Sequence, residues 1–331
     1  MSGDREPATV ADIGELELLR RIRARFGSAP AGEIWSGDDA AVVRAPGGDL
    51  LLTTDMLVEG LDFDLAHAGG ADIGWKALAA NASDIAAMCG RPHHAVVALG
   101  LRLDTPEDLV EGLLDGLMKA AQRWRIGVVG GDLSGAGEIS ITVALTGSPV
   151  GAGVVTRAGA KAGDAICVTG SLGGAAAGLV ALRRDLERTE PVRRLVARQL
   201  RPAARVNEAA LLAECGPSAV IDVSDGLAVD LHRLCTESRV GCEVGESDIP
   251  IDPDIGVVGD LDFLELALLG GEDFELLFTV PEERVDETGR RIGEVGTTVS
   301  RIGTVTSGPR RLGSQSLDHW KERGWQHLRG R

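Results

Sequence analysis

Residues 219–226 read Ala-Val-Ile-Asp-Val-Ser-Asp-Gly. Ala219–Val223 has the composition of a short strand. It runs straight into two aspartates, and Gly226 opens a helical pattern that extends to Ser238. The same phrase, a β-rich run closed by Asp beside Gly, Ser or Thr, recurs at Gly37-Asp38-Asp39, Thr53-Thr54-Asp55 and Gly130-Gly131-Asp132. One Asp after a strand is ordinarily a turn former or a helix cap. Four such endings, two of them with paired Asp, point instead to strand ends that meet in one crevice. They would offer carboxylate and hydroxyl oxygens, the donors that Mg²⁺ takes.

Working outward, each half of the chain alternates strands and helices. The first half has an amphipathic helix at Glu15–Phe26 and a strand at Asp49–Thr54 leading into Asp55. Helical spacing follows at Asp72–Met88, then a strand at Ala95–Leu101. Thr105-Pro106-Glu107-Asp108 reads as a helix start, with a capping Thr and Pro at the first position, and that helix runs to Trp124. Strands are predicted at Ile126–Val129, closing on Gly130-Gly131-Asp132, and at Ile139–Thr146. Gly147–Gly153 is the best linker. Beyond it come a strand at Ala165–Thr169, a Gly/Ala-rich helix at Gly170–Arg184 and helices within Arg193–Cys215 broken at Pro202. Gly241–Val244, Glu275–Val280 and Arg301–Val305 read as strands, and Leu261–Leu269 and Glu282–Ile292 as helices. Strand–strand neighbours in both halves favour an α+β fold over a doubly wound parallel sheet. A length of 331 residues suits two domains, drawn at 1–149 and 150–331.

Composition narrows the function. The formal net charge is −16, so no basic face is available for nucleic acid or for an anionic membrane. The five cysteines include no C-x-x-C pair, which suits reduced thiols in a cytoplasmic protein. The polar, acidic start is no signal peptide, and no apolar run reaches the length of a spanning helix. No tyrosine occurs and aromatic residues make up 3%, so Ala, Val, Leu and Gly must fill the cores.

On the Asp72–Met88 helix, Ala77, Asn81, Asp84 and Met88 fall at i, i+4, i+7 and i+11 and share one face. That face is otherwise small and apolar, and a carboxylate on it is costly unless paired, hydrogen-bonded or on a metal. Asp84 is therefore read as a metal ligand. No G-x-x-x-x-G-K-[ST] occurs. Thr169-Gly170-Ser171-Leu172-Gly173-Gly174 follows a strand and opens a helix, where backbone amides can take an anion. Arg157 lies just past the linker, in reach of a phosphate across a domain gap or simply at the surface. Gly270-Gly271-Glu272-Asp273 is a further acidic turn. His93-His94 lacks partners for metal binding or catalysis, and Trp325 either stacks on a flat ring or staples the tail.

Taken in order, Gly37-Asp38-Asp39-Ala40-Ala41, Thr53–Gly60, Asn81–Met88, Gly130-Gly131-Asp132, Arg157-Ala158-Gly159-Ala160, Asp222–Leu227 and Gly271–Leu276 resemble the thiamine-monophosphate kinase family of the aminoimidazole-ribonucleotide-synthetase-like superfamily. The resemblance covers the chain from about residue 14 onward. It implies two α+β domains, an N-terminal sheet that joins a second copy in a shared β-barrel, and a homodimer with ATP in the interdomain cleft. It further implies that Asp39, Thr53, Thr54, Asp55, Asp84, Asp132, Asp222 and Asp225 hold several Mg²⁺ ions, with Asp55, Asp84 and Asp132 central to catalysis. Gly131, Asp132, Arg157 and Ser224 would contact ATP. Asp62, Glu272 and Trp325 would line the thiamine site, Asp62 standing where many relatives carry His. Leu114 takes the place of a Tyr that relatives often set near the adenine.

The chemistry so implied is direct in-line transfer from ATP to the phosphate of thiamine monophosphate. A phosphate monoester has its second pKa near 6 and is already ionised at neutral pH, so no general base is required. The alternatives are another ATP-using enzyme of the superfamily (hydrogenase maturation, selenophosphate or purine pathway) and a non-catalytic nucleotide or metal sensor.

Overall fold

The computed structural model describes residues 31–34, 38–45, 48–151, 153–321 and 323. The predicted Glu15–Phe26 helix and Trp325 lie outside these. The first half is a five-stranded sheet ordered β1-β2-β5-β3-β4: β1 Ala41–Ala45, β2 Gly48–Val58, β3 Gly90–Leu101, β4 Gly127–Gly135 and β5 Ser140–Pro149. All neighbours are antiparallel except β3 and β4. A parallel pair needs a long crossover, which helix α2, Glu107–Trp124, supplies. Helix α1, Gly70–Ala87, precedes β3.

Period-two alternation sorts this sheet into two faces. Ile141, Val143 and Leu145 of β5 are fully buried against the helices, whereas Leu52, Met56 and Val96 on the other face are exposed. The two helices lie unusually close. A Cβ on Gly74 would fall 2.0 Å from the Leu113 carbonyl oxygen, and one on Gly116 would fall 2.0 Å from that of Ala71. Only glycine permits that approach, which compensates for the scarcity of aromatic filling.

The second half builds a seven-stranded sheet ordered β12-β11-β8-β10-β6-β9-β7. Its strands are β6 Asp164–Thr169, β7 Ala219–Asp222, β8 Gly241–Val244, β9 Leu276–Pro281, β10 Val299–Thr306, β11 Arg310–Leu312 and β12 Gln315–Ser316. Its helices are α3 Gly174–Arg183, α4 Glu190–Leu200, α5 Val206–Glu214, α6 Leu227–Glu237, α7 Phe263–Leu269, α8 Val285–Gly293 and α9 Leu317–Lys321. Every residue of β6 is buried. One apolar core runs from the first sheet through α1 to β6, β7 and β9. Helix α1 is buried on nearly all sides because both sheets press on it.

Several predicted element ends differ from the observed ones. β2 does not stop before Asp55 but continues to Val58, because β5 pairs with it from Leu51 to Val58. β4 does not stop at Val129 but passes through Gly130-Gly131-Asp132, carried by its pairing with β3. Thr105 does not cap α2; Pro106 is the N-cap residue, and the Thr105 hydroxyl has no hydrogen-bond partner among the described residues. The predicted linker also begins too early, since Gly147–Pro149 still belongs to β5. The short strands β1, β11 and β12 and helix α9 carry too little pattern to have been anticipated.

Candidate active site

β1 pairs with β2 only as far as Leu52. From Thr53 onward that edge of β2 faces α1, whose polar side chains occupy the vacated positions. The Asn81 side-chain oxygen accepts the Asp55 N–H at 3.1 Å, while its amide donates to the Ala77 carbonyl at 2.9 Å. The Thr53 hydroxyl donates to Asp84 at 2.5 Å. Ser83, one residue away, donates to Asp222 at the end of β7, also at 2.5 Å. Helix α1 thus gathers acids from both sheets. Asp39 enters from the turn before β1, and one carboxylate oxygen from each of Asp39, Asp84 and Asp222 lies within 4.8 Å of the others.

Burial is the main reason that the carboxyl groups of Asp84 and Asp222 are held well above the usual carboxylate range. Repulsion from Asp55 adds to both, and each repels the rest of the cluster. Asp39 and Asp55 are raised for the same leading reason, partly offset in Asp39 by Arg157. Asp39 Oδ2 is buried without a hydrogen-bond partner. A group of buried anions with an unmet acceptor is the environment of a cation.

Arg157 is not a surface charge. Its guanidinium is paired with Asp39 at 2.5 Å and lies 3.4 Å from Asp38, bridging from the second half of the chain to the first. Burial and the neighbouring Asp39 push Asp38 up to about 7. Asp225 pairs with Arg233 at 2.5 Å. Beneath it, Asp230 accepts the N–H groups of Ser224 and Asp225 at 3.1 and 3.0 Å. Burial, followed by repulsion from Asp225, raises Asp230 to about 7. Asp230 and Arg233 were not anticipated from sequence. Their signal was an Asp in the first turn of a helix that opens on the Asp225-Gly226 turn, with an Arg one turn later.

The acceptor-side candidates converge separately. Lys76, buried on α1, is ion-paired with Glu272 and donates to the Asp62 carbonyl at 3.1 Å. The Asp62 carboxylate accepts the Val58 N–H at 2.8 Å, closing the turn after β2.

Three expected site residues, Thr54, Gly131 and Asp132, stand apart. Thr54 faces away from Thr53 and Asp55 by strand alternation, and its hydroxyl donates to the Val143 carbonyl at 2.9 Å. Asp132 is exposed within β4. The register runs from Asp55 through Val143 and Val97 to Gly131, so three strand spacings, about 14 Å, separate Asp132's strand from Asp55. The structure therefore does not bring Thr54, Gly131 or Asp132 to the carboxylate cluster within one chain. Nor is the α3 N-terminus an open anion cradle: Asp273 already accepts the Gly173 and Ala175 N–H groups at 2.7 and 3.1 Å.

The chain matches the family of AIR synthase related protein, by its N-terminal domain over residues 37–148 and by its C-terminal domain over residues 161–312. It is 36% identical over 311 residues to the thiamine-monophosphate kinase of Methanospirillum hungatei, covering 93% of this chain and 100% of that protein. This chain belongs to the thiamine-monophosphate kinase family. Another family member, from Bacillus subtilis, is 36% identical over 82% of this chain and 85% of its own length. Among solved structures, AaThiL complexed with AMPPCP and TMP superposes with a TM-score of 0.84 at 32% identity, covering 93% of this chain and 95% of that one. Thiamine monophosphate kinase from Aquifex aeolicus gives 0.79, also at 32%, over 90% and 97%. The hydrogenase maturation protein HypE, 20% identical with a TM-score of 0.68, shares the fold.

Proposed function

We propose that this protein transfers the γ-phosphoryl group of ATP to the phosphate of thiamine monophosphate, giving thiamine diphosphate and ADP. The observation that carries the reading is the approach of Asp39, Asp84 and Asp222 to within 4.8 Å in a chain over a third identical to kinases of that name. The family's solved complex with AMPPCP, an ATP analogue, and TMP supports both substrates.

An acceptor phosphate oxygen forms the new bond to Pγ while the bond from Pγ to the β–γ bridging oxygen breaks and ADP departs. The acceptor is already ionised near neutrality. The task left to the protein is to bring two polyanions together in line. Asp39, Thr53, Asp55, Asp84, Asp222 and Asp225 are the residues proposed to hold magnesium. The three clustered carboxylates and the unsatisfied Asp39 oxygen suit a hard cation. Bound magnesium supplies the positive charge that screens the phosphates and stabilises charge on the transferring group. Arg157 and Ser224 are proposed to contact the nucleotide, and Glu272, with Asp62 and Trp325, the thiamine moiety. Asp230 holds the Ser224–Asp225 turn by two backbone hydrogen bonds.

A homodimer is part of the proposal. Among the described residues no helix covers the sheet face on which Leu52, Met56 and Val96 are exposed, and Val129 and Leu133 are exposed on the edge strand β4. An apolar face and an edge strand left uncovered by the described residues are suited to a second copy. Such closure gives Thr54, Gly131 and Asp132, which project from the open side or edge, a route to a metal–nucleotide site. No helix among the described residues is long and apolar enough to cross a membrane.

The deciding experiment is a coupled ADP-release assay with ATP and Mg²⁺ against thiamine monophosphate, thiamine and aminoimidazole ribonucleotide precursors. The expected result is release only with thiamine monophosphate. Release with a purine precursor alone would assign the chain to another branch of the superfamily.

A further inference from the structure

Lys76 is out of character with its surroundings. It follows Gly74-Trp75 and precedes Ala77-Leu78 on the buried helix α1, and only 4% of it is exposed. A buried ammonium is tolerated only when its donors are met. Here one partner is the Glu272 carboxylate and another is the Asp62 carbonyl at 3.1 Å. The second Glu272 oxygen accepts the Gln199 side-chain amide at 2.6 Å. The Glu272 backbone is held as well. Its N–H donates to the Ser224 carbonyl at 2.8 Å, and its φ of 69° lies in the left-handed region that a glutamate seldom adopts. Glu272 is thus fixed by side chain and main chain together, and α1 provides one of the side-chain ties.

The same helix carries Asp84. Eight residues of α-helix separate it from Lys76, a rise of about 12 Å. α1 is therefore a rigid spacer between the carboxylate cluster and the Glu272 carboxylate. The mechanism above uses the cluster and leaves the other end of the helix without a role.

We propose that Lys76 is a positioning residue for the acceptor substrate. It sets the Glu272 carboxylate, and with it the turn containing Asp62, at a fixed distance from the phosphoryl-transfer centre. It acts through Glu272 and touches neither nucleotide nor metal. This rests on the functional reading above, in which Glu272 takes the thiamine moiety.

The experiment is a double-mutant cycle with Lys76→Met and Glu272→Gln, reading the KM for thiamine monophosphate and, separately, AMPPCP affinity by calorimetry at fixed Mg²⁺. Loss of one charged hydrogen bond predicts that Lys76→Met raises that KM on the order of tenfold to a hundredfold. AMPPCP affinity should stay within about twofold, since the link from Glu272 toward the nucleotide, its N–H to the Ser224 carbonyl, is main-chain and does not run through the Lys76 ion pair. In the Glu272→Gln background, Lys76→Met should add much less than it does in the parent, because the charge of the partner through which it acts is already gone. An unchanged KM in Lys76→Met overturns the proposal. So does a full additional rise in the double variant, which would make Lys76 independent of Glu272, or a parallel loss of AMPPCP affinity, which would make it merely structural. Should Lys76→Met not fold, Lys76→Arg, which keeps the charge and alters its geometry, carries the same readouts. If the unsubstituted protein shows no turnover of thiamine monophosphate while binding AMPPCP, the functional reading itself has failed and this proposal falls with it.

Discussion

Asp222 and Asp132 close nearly the same sequence phrase, and the fold treats them in opposite ways. Asp222 ends β7, is 1% exposed, and meets Asp39 and Asp84. Asp132 lies inside β4, exposed and three strands from Asp55. What differs is the partner beyond the phrase. After Asp222 the regular pairing with β9 ends, leaving backbone hydrogen bonds that join Val223 and Ser224 to the 272–275 segment, and the chain turns into α6, with Asp230 tying down the turn. After Gly131 the parallel pairing with β3 persists to Gly135, and the phrase stays a strand. Gly131 is required there, because a Cβ would fall 1.9 Å from the Val97 carbonyl oxygen. A short acidic phrase therefore fixes which chemistry is on offer, while the end of the ladder decides where it is delivered.

The sharpest way to break this contrast is on the buried side. Asp84→Asn should lower turnover at least about a hundredfold, the scale of removing one preorganised electrostatic group, with the far-UV circular dichroism unchanged. Without divalent cation the same variant should melt at a higher temperature than the parent, because the cost of burying an ionisable carboxyl beside other acids is gone. Wild-type-like turnover in ADP release would remove the metal-cluster reading. On the exposed side, Asp132→Ala should also inactivate, but by a different route if the open face closes on a second copy. Mixing inactive Asp132→Ala with inactive Asp84→Asn under subunit exchange should then restore about one quarter of wild-type turnover. Half of randomly mixed dimers are heterodimers, each with one intact site. No recovery in a mixture shown by native mass spectrometry to contain heterodimers would place Asp132 in service of its own chain.

The carboxylate cluster was legible because its signal is local. Asp84 on a small, apolar helix face and Asp222 after a β-rich run are each anomalous within a few residues. Two α+β units were legible from the mixture of strand and helix periods. What escaped were the features that depend on pairing. β2 running past Asp55, β4 running past Gly131 and the facing of Thr54 all follow from register with β5 or β3, and register is not written in either strand alone. Arg157 was open between surface and site because its partners, Asp38 and Asp39, lie over a hundred residues away in sequence. Lys76 escaped for the converse reason: one Lys in an apolar helix ordinarily reads as a snorkelling surface charge, and its two partners come from distant turns.

The glycine-rich start of α3 extends the comparison to a third acidic phrase and gives the smallest expected effect. Gly271-Glu272-Asp273 places one acid toward Lys76 and the next, Asp273, onto the α3 amides. That helix N-terminus is filled from within the chain, unlike the metal cluster. Burial pushes Asp273 up to about 7, although the two N–H donors pull it down. Unfolded, an aspartate titrates near 4. Between those values the folded chain holds a proton that the unfolded chain has released, so this group's contribution to stability falls as pH rises from about 4 to about 7. Asp273→Asn cannot ionise, and its amide oxygen can still accept a backbone N–H. Melting temperatures of the metal-free proteins across pH 5 to 8 should therefore decline less in the variant than in the parent. Equal slopes would mean that Asp273 stays ionised in the folded chain, and the α3 amides would then outweigh the burial that opposes its charge.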